Sequence, residues 1–231
     1  MALYAIGDVH GCMELLRSLL GAIAEDAANH PAKRKVLVCL GDYVDRGGDS
    51  RAVIDCLLHH QPADFTCIFL KGNHEDAMVR FLDGEAIGAS WIDQGAIATF
   101  FSYGVRPPRR PADAADLMRA RNELAANLPD GHLDFLRALP LSHIEGDYLF
   151  VHAGLRPGLS LEQQDSEDMI WIRDEFLRSN FDFGKVVVHG HNIALEPEIR
   201  PNRIGIDTGA FASGRLTCLV LDGAERLFIQ T

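Results

Sequence analysis

The sequence has few cysteines, no net positive charge and no long apolar run. Its 5 cysteines are odd in number and show no C-x-x-C spacing, which disfavours a disulfide scaffold or a zinc ribbon and favours a reducing compartment. No apolar stretch reaches the ~18 residues of a transmembrane helix. The first residues also lack the basic and apolar regions of a secretory signal. We therefore expect a cytoplasmic protein that has no membrane partner.

The charge balance is acidic, and the composition is that of a folded chain. Lys and Arg total 22 against 33 Asp and Glu, which gives a formal charge of −11. Nucleic acid and anionic lipid carry charge of the same sign, so neither is an expected partner. Hydrophobic residues make up 47% of the 231 residues, which suffices for a large core. No linker or repeat is visible, and we expect residues 1–231 to form a single domain.

Short apolar runs alternate with helical patterns in the first part of the chain. The runs Leu3–Ile6, Val36–Leu40 and Phe65–Leu70 predict buried strands, and the spacing between them predicts helices, the second of which is N-capped by Ser50. Residues 76–140 predict a helical excursion in the middle of the chain. This order predicts an α/β fold whose second half is antiparallel or mixed. The further predicted strands are Tyr148–Val151, Val186–Val188, Ile204–Ile206, Leu216–Leu221 and Arg226–Ile229.

Five short polar clusters each follow a predicted strand directly. Ligands of α/β sheets bind beyond the carboxyl ends of the strands, so we expect the five clusters to converge in space. The glycines in them would let the backbone come close to a bound group. The clusters are Gly7–Gly11, Gly41–Gly47, Gly72–Glu75, His152–Gly154 and His189–His191.

The side chains of these clusters suit divalent cations. Asp8 and His10 are two residues apart and can point to the same side of an extended backbone. Asp42 has two oxygens and could bridge two cations. Oxygen and nitrogen ligands without thiolate suit Mn, Fe or Zn. Taken alone, each residue has an ordinary alternative, such as a helix cap for Asp8 or a buried hydrogen-bonded imidazole for His152. The candidate ligands are Asp8, His10, Asp42, Asn73, His152 and His191.

The first three clusters, in this order and spacing, resemble the motifs of the PPP-type metallophosphatases in the calcineurin-like phosphoesterase superfamily. The resemblance covers nearly the whole chain through Ile206–Ala210, and it is strongest to small bacterial and phage serine/threonine phosphatases. Symmetrical diadenosine tetraphosphate hydrolases are related to these. The resemblance implies a calcineurin-like metallophosphoesterase fold, with two mixed β-sheets sandwiched between helices. It also implies two divalent metal ions, with Mn²⁺ expected first and Fe or Zn as alternatives.

The resemblance further implies two metal sites that share one carboxylate. It places the ligand of the last cluster at His191, so His189 would lie behind the ligands or belong to a strand. The implied ligands are Asp8, His10 and Asp42 for the first ion, and Asp42, Asn73, His152 and His191 for the second.

Phosphate binding and proton transfer would fall to a second set of residues. Arg46 and Arg173 are expected to bind phosphate together with Asn73, while a water bridging the two cations acts as the nucleophile. His74 would then be the general acid, and Asp45 would orient it and favour its protonated form.

Asp45 and Arg173 could instead serve only in ion pairs, without a role in catalysis. The alternative pairs are Asp45 with Arg46 or Arg51, and Arg173 with Asp174 or Glu175. The arginines of the helical excursion are expected on a solvated loop, with contact to substrate as the other possibility. These arginines are Arg106, Arg109 and Arg110.

The expected function is a metal-dependent phosphomonoester hydrolase, most simply a serine/threonine protein phosphatase acting on a phosphoprotein or phosphopeptide. The alternative is a symmetrical dinucleoside tetraphosphate hydrolase. Those hydrolases, by the resemblance, usually lack an acid at the position of Asp45 and have aspartate at that of Glu75, which favours the phosphatase. A catalytically silent metal-binding protein is a third hypothesis, and the complete set of candidate ligands disfavours it.

Overall fold

Two five-stranded β-sheets form the centre of the computed structural model, which describes residues 1–223 and 225–231. The strands of the first sheet are β1 (Ala2–Ile6), β2 (Lys35–Cys39), β3 (Phe65–Phe69), β9 (Thr217–Asp222) and β10 (Glu225–Gln230). They lie in the order β10-β9-β1-β2-β3, with β1, β2 and β3 parallel and β9 antiparallel to both of its neighbours. The first sheet is therefore mixed.

The second sheet is mixed as well. Its strands are β4 (Ser142–Glu145), β5 (Tyr148–Val151), β6 (Val186–His189), β7 (Glu198–Ile199) and β8 (Arg203–Gly205). They lie in the order β4-β5-β6-β8-β7, with a parallel centre and an antiparallel strand at each edge. All eight predicted strands are present within one or two residues, whereas the two edge strands β4 and β7 were not predicted.

Helices follow the parallel strands of the first sheet and fill the middle of the chain. The first three are α1 (Met13–Asn29), α2 (Ser50–His59) and α3 (Asn73–Leu82). The predicted helical excursion contains α4 (Gly88–Trp91), a π-helical turn over Ile92–Ala96, α5 (Ile97–Ser102), α6 (Ala114–Asn127) and α7 (His132–Ala138). Three short helices follow, α8 (Ser166–Trp171), α9 (Asp174–Leu177) and α10 (Ala210–Ser213). In the part of the chain that is described, no helix has both the length and the apolar character needed to cross a bilayer.

Alternate residues of each strand face opposite layers of the core. Leu3 and Ala5 of β1 pack with Phe150 and Val188 of the second sheet, so the two sheets meet face to face. Tyr4 and the other residues on the opposite face of β1 pack against α1, α2 and the helical excursion. The outer face of the second sheet packs against α8 and α9. The fold is therefore α/β with two mixed sheets between helices, as the resemblance implied.

The predicted N-cap of α2 is wrong. The helix begins at Ser50 itself, and Asp49 precedes it without a side-chain cap. The Ser50 hydroxyl instead accepts a hydrogen bond from the backbone N–H of Asp45 at 3.1 Å. The hydroxyl that looked like a helix cap in the sequence therefore fixes the loop that follows β2.

Candidate metal centre

The loops that follow the parallel strands are joined to one another by hydrogen bonds. The backbone N–H groups of Val9 and His10 donate to the carbonyl of Asp42 at 3.1 and 2.7 Å. The N–H of Gly190 donates to the carbonyl of His152 at 2.8 Å, which ties two loops of the second sheet together. The N–H of His191 donates to Asp8 Oδ2 at 3.0 Å and so connects the two sheets. The polar clusters therefore converge at one edge of the sheet pair.

Glycine is required where two of these loops approach each other. A Cβ atom on Gly72 would lie 2.2 Å from Asp42 Oδ1, and one on Gly190 would lie 2.0 Å from Asp8 Oδ1. Both distances are far below van der Waals contact, so any larger residue would push the carboxylate away. These two glycines allow the carboxylates to lie against the backbone of the neighbouring loop.

Backbone strain is concentrated in the same loops. Among the described residues, every non-glycine residue with positive φ lies in one of the polar clusters. Such conformations cost of order 1–3 kcal/mol each and persist where the surrounding structure holds them, commonly at functional sites. The five residues are His10, Asp42, Asp45, Arg46 and His191, with φ between 45° and 71°.

One group of candidate ligands consists of His10, Asp42 and His74, whose ligand atoms lie within 4.8 Å of one another. His10 Nδ1–H donates to the carbonyl of Val44 at 2.9 Å, which leaves the lone pair on Nε2. That Nε2 lies 3.4 Å from Asp42 Oδ2 and has no hydrogen-bond partner among the described residues. A buried imidazole held in this way presents an unused lone pair to a cation.

A second group consists of Asp42, His152 and His191, with Asn73 beside it. His152 Nε2 lies 3.0 Å from Asn73 Oδ1, 3.2 Å from His191 Nδ1 and 3.4 Å from Asp42 Oδ1. The other ring nitrogen of His152 donates to the carbonyl of Leu40 at 2.9 Å. The lone pair left on Nε2 faces two oxygens that are themselves acceptors, so this convergence of ligand atoms fits a shared divalent cation. The donor set of the whole cluster therefore fits metal ions.

Burial and neighbouring charges hold three of these candidate ligands in the protonation states that a cation would require. Burial lowers the pKa of His10 to about 3, and burial together with His152 lowers the pKa of His191 to about 2. Both imidazoles are therefore neutral near pH 7. Burial alone would raise the pKa of Asp42, but the neighbouring imidazoles, those of His152 and His74 first, outweigh burial and lower that pKa instead. Asp42 is accordingly ionised.

Asp8 is buried beside the two groups of ligands and belongs to neither of them. Burial and the negative charges of Asp207 and Asp42 raise its pKa. Burial likewise raises the pKa of Asp207 to about 6. Asp207 was not predicted as a site residue, although it lies two residues beyond β8, just as Asp8 lies two residues beyond β1. That position was the signal that could have identified it.

His74 is held by a buried carboxylate. Its Nδ1–H donates to Asp45 Oδ2 at 2.6 Å. Asp45 also accepts hydrogen bonds from Trp91 Nε1 at 2.7 Å and from the Thr99 hydroxyl at 2.5 Å. Burial would lower the pKa of His74, but Asp42 and Asp45 outweigh burial and raise it. Asp45 thus bonds His74, Trp91 and Thr99, and the latter two belong to the helical excursion and were not predicted as site residues.

The two predicted phosphate-binding arginines lie one beside each ligand group. Arg46 Nη2 is 3.2 Å from His74 Nε2. Arg173 Nη1 donates to Asn192 Oδ1 at 2.8 Å, next to His191. Asp174, the alternative partner of Arg173, forms its ion pair with Arg178 at 2.8 Å. Two guanidinium groups are therefore available at the cluster.

Glu75 connects the loop after β2 to the start of α3 through hydrogen bonds. Its carboxylate accepts four backbone N–H groups, with N···O distances between 2.7 and 3.2 Å. Three of the donors are the consecutive residues Asp42, Tyr43 and Val44, and the fourth is Gly72. This side chain therefore fixes the backbone from which Asp42 reaches both ligand groups.

The remaining predicted residues lie outside the cluster. His189 ends β6, and its ring packs edge-on against Phe176 at 5.1 Å, so His191 is the histidine of this pair that joins the ligands. The arginines of the helical excursion contact that region itself. Arg106 lies 3.9 Å from Asp116, and Arg110 lies 3.8 Å from Asp93.

Comparison with known proteins gives one family match and several relatives. The family model for calcineurin-like phosphoesterases matches residues 1–208. An asymmetrical bis(5'-nucleosyl)-tetraphosphatase from Anoxybacillus flavithermus is 29% identical over 227 residues, which is 93% of this chain and 88% of the relative. A symmetrical bis(5'-nucleosyl)-tetraphosphatase from Nitrosospira multiformis is 30% identical over 166 residues, 71% of this chain. The match spans only 47% of that second relative.

Solved structures share the fold at low sequence identity. A cold-active protein tyrosine phosphatase superposes with a TM-score of 0.66 at 17% identity, over 100% of this chain and 78% of the other. At this identity the likeness concerns the fold alone.

Proposed function

Because the chain belongs to the calcineurin-like phosphoesterase family, we propose that it is a metal-dependent hydrolase of dinucleoside tetraphosphates. The relative that matches 93% of the chain is named for that substrate, as is the symmetrical relative. These relatives favour a dinucleoside tetraphosphate, which the sequence analysis gave as the alternative substrate, over a phosphoprotein. The observation in the structure that carries the proposal is the pair of arginines, Arg46 and Arg173, one beside each ligand group.

The proposed ligands are the residues that converge at the strand ends. Oxygen and imidazole nitrogen ligands suit Mn²⁺, with Fe or Zn as alternatives. Two divalent cations, when bound, would supply Lewis acidity to the phosphate oxygens and lower the pKa of water. The ligands we propose are Asp8, His10, Asp42, Asn73, His152 and His191, with Asp42 shared.

A polyphosphate chain needs more than one cationic contact. Arg46 and Arg173 would each donate charge-assisted hydrogen bonds to phosphate oxygens, and their two positions suit a chain of several phosphates. In the reaction, the oxygen of a water molecule bonds to one phosphorus and the phosphoanhydride bond breaks. His74 would hold a proton at Nε2, while its Nδ1–H is fixed by Asp45, and would give that proton to the leaving oxygen.

A serine/threonine phosphatase activity is the second candidate. The observation that favours it is the 2.6 Å contact between His74 and Asp45, because that carboxylate favours a protonated imidazole. A serine or threonine alkoxide needs a proton when it leaves. A nucleotide leaves as a phosphate anion, which is stable and needs much less help.

A substrate comparison tests the proposal. We expect the Mn²⁺-loaded protein to hydrolyse diadenosine tetraphosphate with a kcat/KM at least about tenfold above that for phosphoserine and phosphothreonine peptides, a difference of ~1.4 kcal/mol in transition-state stabilisation. Chromatography of the products distinguishes symmetrical cleavage to two ADP from asymmetrical cleavage to ATP and AMP. Chelator-treated protein is the control. More efficient turnover of the phosphopeptides would overturn the proposal in favour of the second candidate.

A further inference from the structure

An aromatic ring stands at the edge of each candidate ligand group. The ring of Phe211, in α10, lies 5.4 Å from that of His10 at an interplanar angle of 86°. The ring of Trp171, the last residue of α8, lies 5.9 Å from that of His191 at 88°. Both rings therefore contact an imidazole edge-on, and each one borders a different half of the cluster.

Phe211 also has an arginine next to its ring, and an arginine near His191 belongs to the same half of the cluster as Trp171. The guanidinium carbon of Arg46 lies 4.7 Å from the centre of the Phe211 ring. Arg173 is two residues beyond Trp171 and bonds Asn192, the neighbour of His191. The cluster thus has two similar halves, and each half combines imidazole ligands with one guanidinium group and one aromatic ring.

Trp171 borders a cleft, and Phe211 is partly exposed to solvent. Trp171 lines a cleft of about 490 Å³ together with Lys71, Arg80 and Pro140. Lys71 lies two residues before Asn73, and Arg80 belongs to α3, the helix that begins at Asn73. On the other side, the Phe211 side chain is 39% exposed and Ile193, near Gly209, is 53% exposed. Both rings therefore have room for a further planar group.

We propose that Phe211 and Trp171 are the two platforms on which the two nucleoside ends of a dinucleoside polyphosphate stack, one at each side of the metal centre. The inference rests on the proposed function and deepens it, since it explains how a substrate with a base at both ends is recognised. Stacking tolerates any base, because every base presents a flat π-face. The arginine in each half of the cluster would bind the phosphate nearest to the nucleoside on that side.

Alanine variants measured against a substrate without a nucleoside give the first test. We expect Trp171→Ala and Phe211→Ala each to lower the ratio of kcat/KM for diadenosine tetraphosphate to kcat/KM for p-nitrophenyl phosphate by about ten- to a hundredfold. Trp171→Phe and Phe211→Tyr, which keep a ring, should restore most of the ratio. Phe101→Ala removes a phenylalanine that is 64% exposed on α5 and should leave the ratio unchanged.

A substrate with a single nucleoside tests whether the two platforms act independently. Adenosine 5'-tetraphosphate can use either platform, so each single alanine variant should raise its KM by no more than about twofold. The double variant should raise it at least about tenfold. For diadenosine tetraphosphate, the effects of the two single variants should instead combine.

Tryptophan fluorescence reports stacking without turnover. The sequence has 2 tryptophans, and Trp91 is buried. A non-hydrolysable methylene analogue of diadenosine tetraphosphate should quench the emission of the Mn²⁺-loaded protein, and Trp171→Phe should remove that quenching.

The outcomes distinguish failure of the proposed function from failure of the stacking platforms alone. If the unsubstituted protein does not hydrolyse diadenosine tetraphosphate, both the proposed function and this inference fail. If it does, but both alanine variants match Phe101→Ala, only this inference fails. A fall in one variant alone overturns the two-ended arrangement. Thermal melts of each variant, together with the variants that keep a ring, distinguish loss of stacking from loss of folding.

Discussion

Asp42 is the residue on which the whole cluster depends. It is the one carboxylate present in both groups of candidate ligands, and it is buried with its two oxygens directed to different imidazoles. His10 belongs to one group only. The two residues therefore differ in how many metal ions a substitution would affect.

We expect Asp42→Asn to remove tightly bound metal from both sites and to be among the most damaging single changes. An amide keeps the shape but supplies no negative charge between the two cations. His10→Ala is the matched comparison and should lower occupancy mainly at one site. Elemental analysis after dialysis measures this directly. Asp42→Asn protein that retains two equivalents of metal would contradict the shared role.

Under the proposed mechanism, His74 would donate a proton to the leaving oxygen. We expect His74→Asn to slow hydrolysis of esters with basic leaving groups by about 10²–10⁴-fold, and of esters with acidic leaving groups much less, because general-acid help matters most for a basic oxygen. A series of aryl phosphates measured in both proteins gives the dependence of kcat on leaving-group pKa. Parallel lines for the two proteins would show that His74 has a structural role only.

The elements explain why the polar clusters could be predicted and other parts could not. Buried strands such as β1 and β2 leave short but continuous apolar runs, and the clusters after them stand out by their glycines and charged residues. The edge strands β4 and β7 carry mixed polarity over 4 and 2 residues, so no pattern marks them. Trp91 and Thr99 reach Asp45 from 46 and 54 residues away. Contacts of that kind depend on the tertiary packing of the helical excursion, which local sequence does not encode.

The hydrogen bonds of Glu75, which connect the loop after β2 to the start of α3, should contribute to the stability of the protein. Glu75→Ala would leave four buried N–H groups without an acceptor, at ~1–3 kcal/mol for each one that water cannot reach. Even partial loss should lower Tm by roughly 5–10 °C in a protein of this size. Differential scanning calorimetry checks the change.

Two further variants control this experiment. Glu14→Ala removes an exposed glutamate and should change stability by no more than ~0.5 kcal/mol. Glu75→Asp keeps the charge but shortens the side chain, so it should fall between the alanine variant and the unsubstituted protein. Equal melting temperatures for Glu75→Ala and Glu14→Ala would show that the four hydrogen bonds do not support the loop.

At the scale of the whole molecule, the candidate metal centre joins the two sheets. Asp8 and Asp42 follow strands of the first sheet, whereas His152 and His191 follow strands of the second. Several buried groups at this junction have like charge or unused lone pairs, which bound cations would compensate. Metal binding should therefore stabilise the packing of one sheet on the other.

We expect chelation to lower the melting temperature of the entire chain. A ligand present at ~100 times its Kd stabilises the folded state by about 2.7 kcal/mol, which corresponds to roughly 5–10 °C for a chain of this size. Thermal melts with Mn²⁺ and with chelator measure the shift, and Asp42→Asn protein should show little of it. Identical melts of the unsubstituted protein under both conditions would exclude a metal-supported junction.

The pairing of β1 with β9 has a consequence for the order of events during synthesis. Ile6, directly before the first polar cluster, lies opposite Cys218. At ~5–20 residues per second, a ribosome needs roughly ten to forty seconds between making these two residues. During that time β1 lacks one neighbour, and Gly7, at the start of the first polar cluster, lacks the Thr217 carbonyl to which its N–H donates at 3.1 Å. We therefore expect metal loading to follow completion of the first sheet rather than to guide the early collapse of the chain.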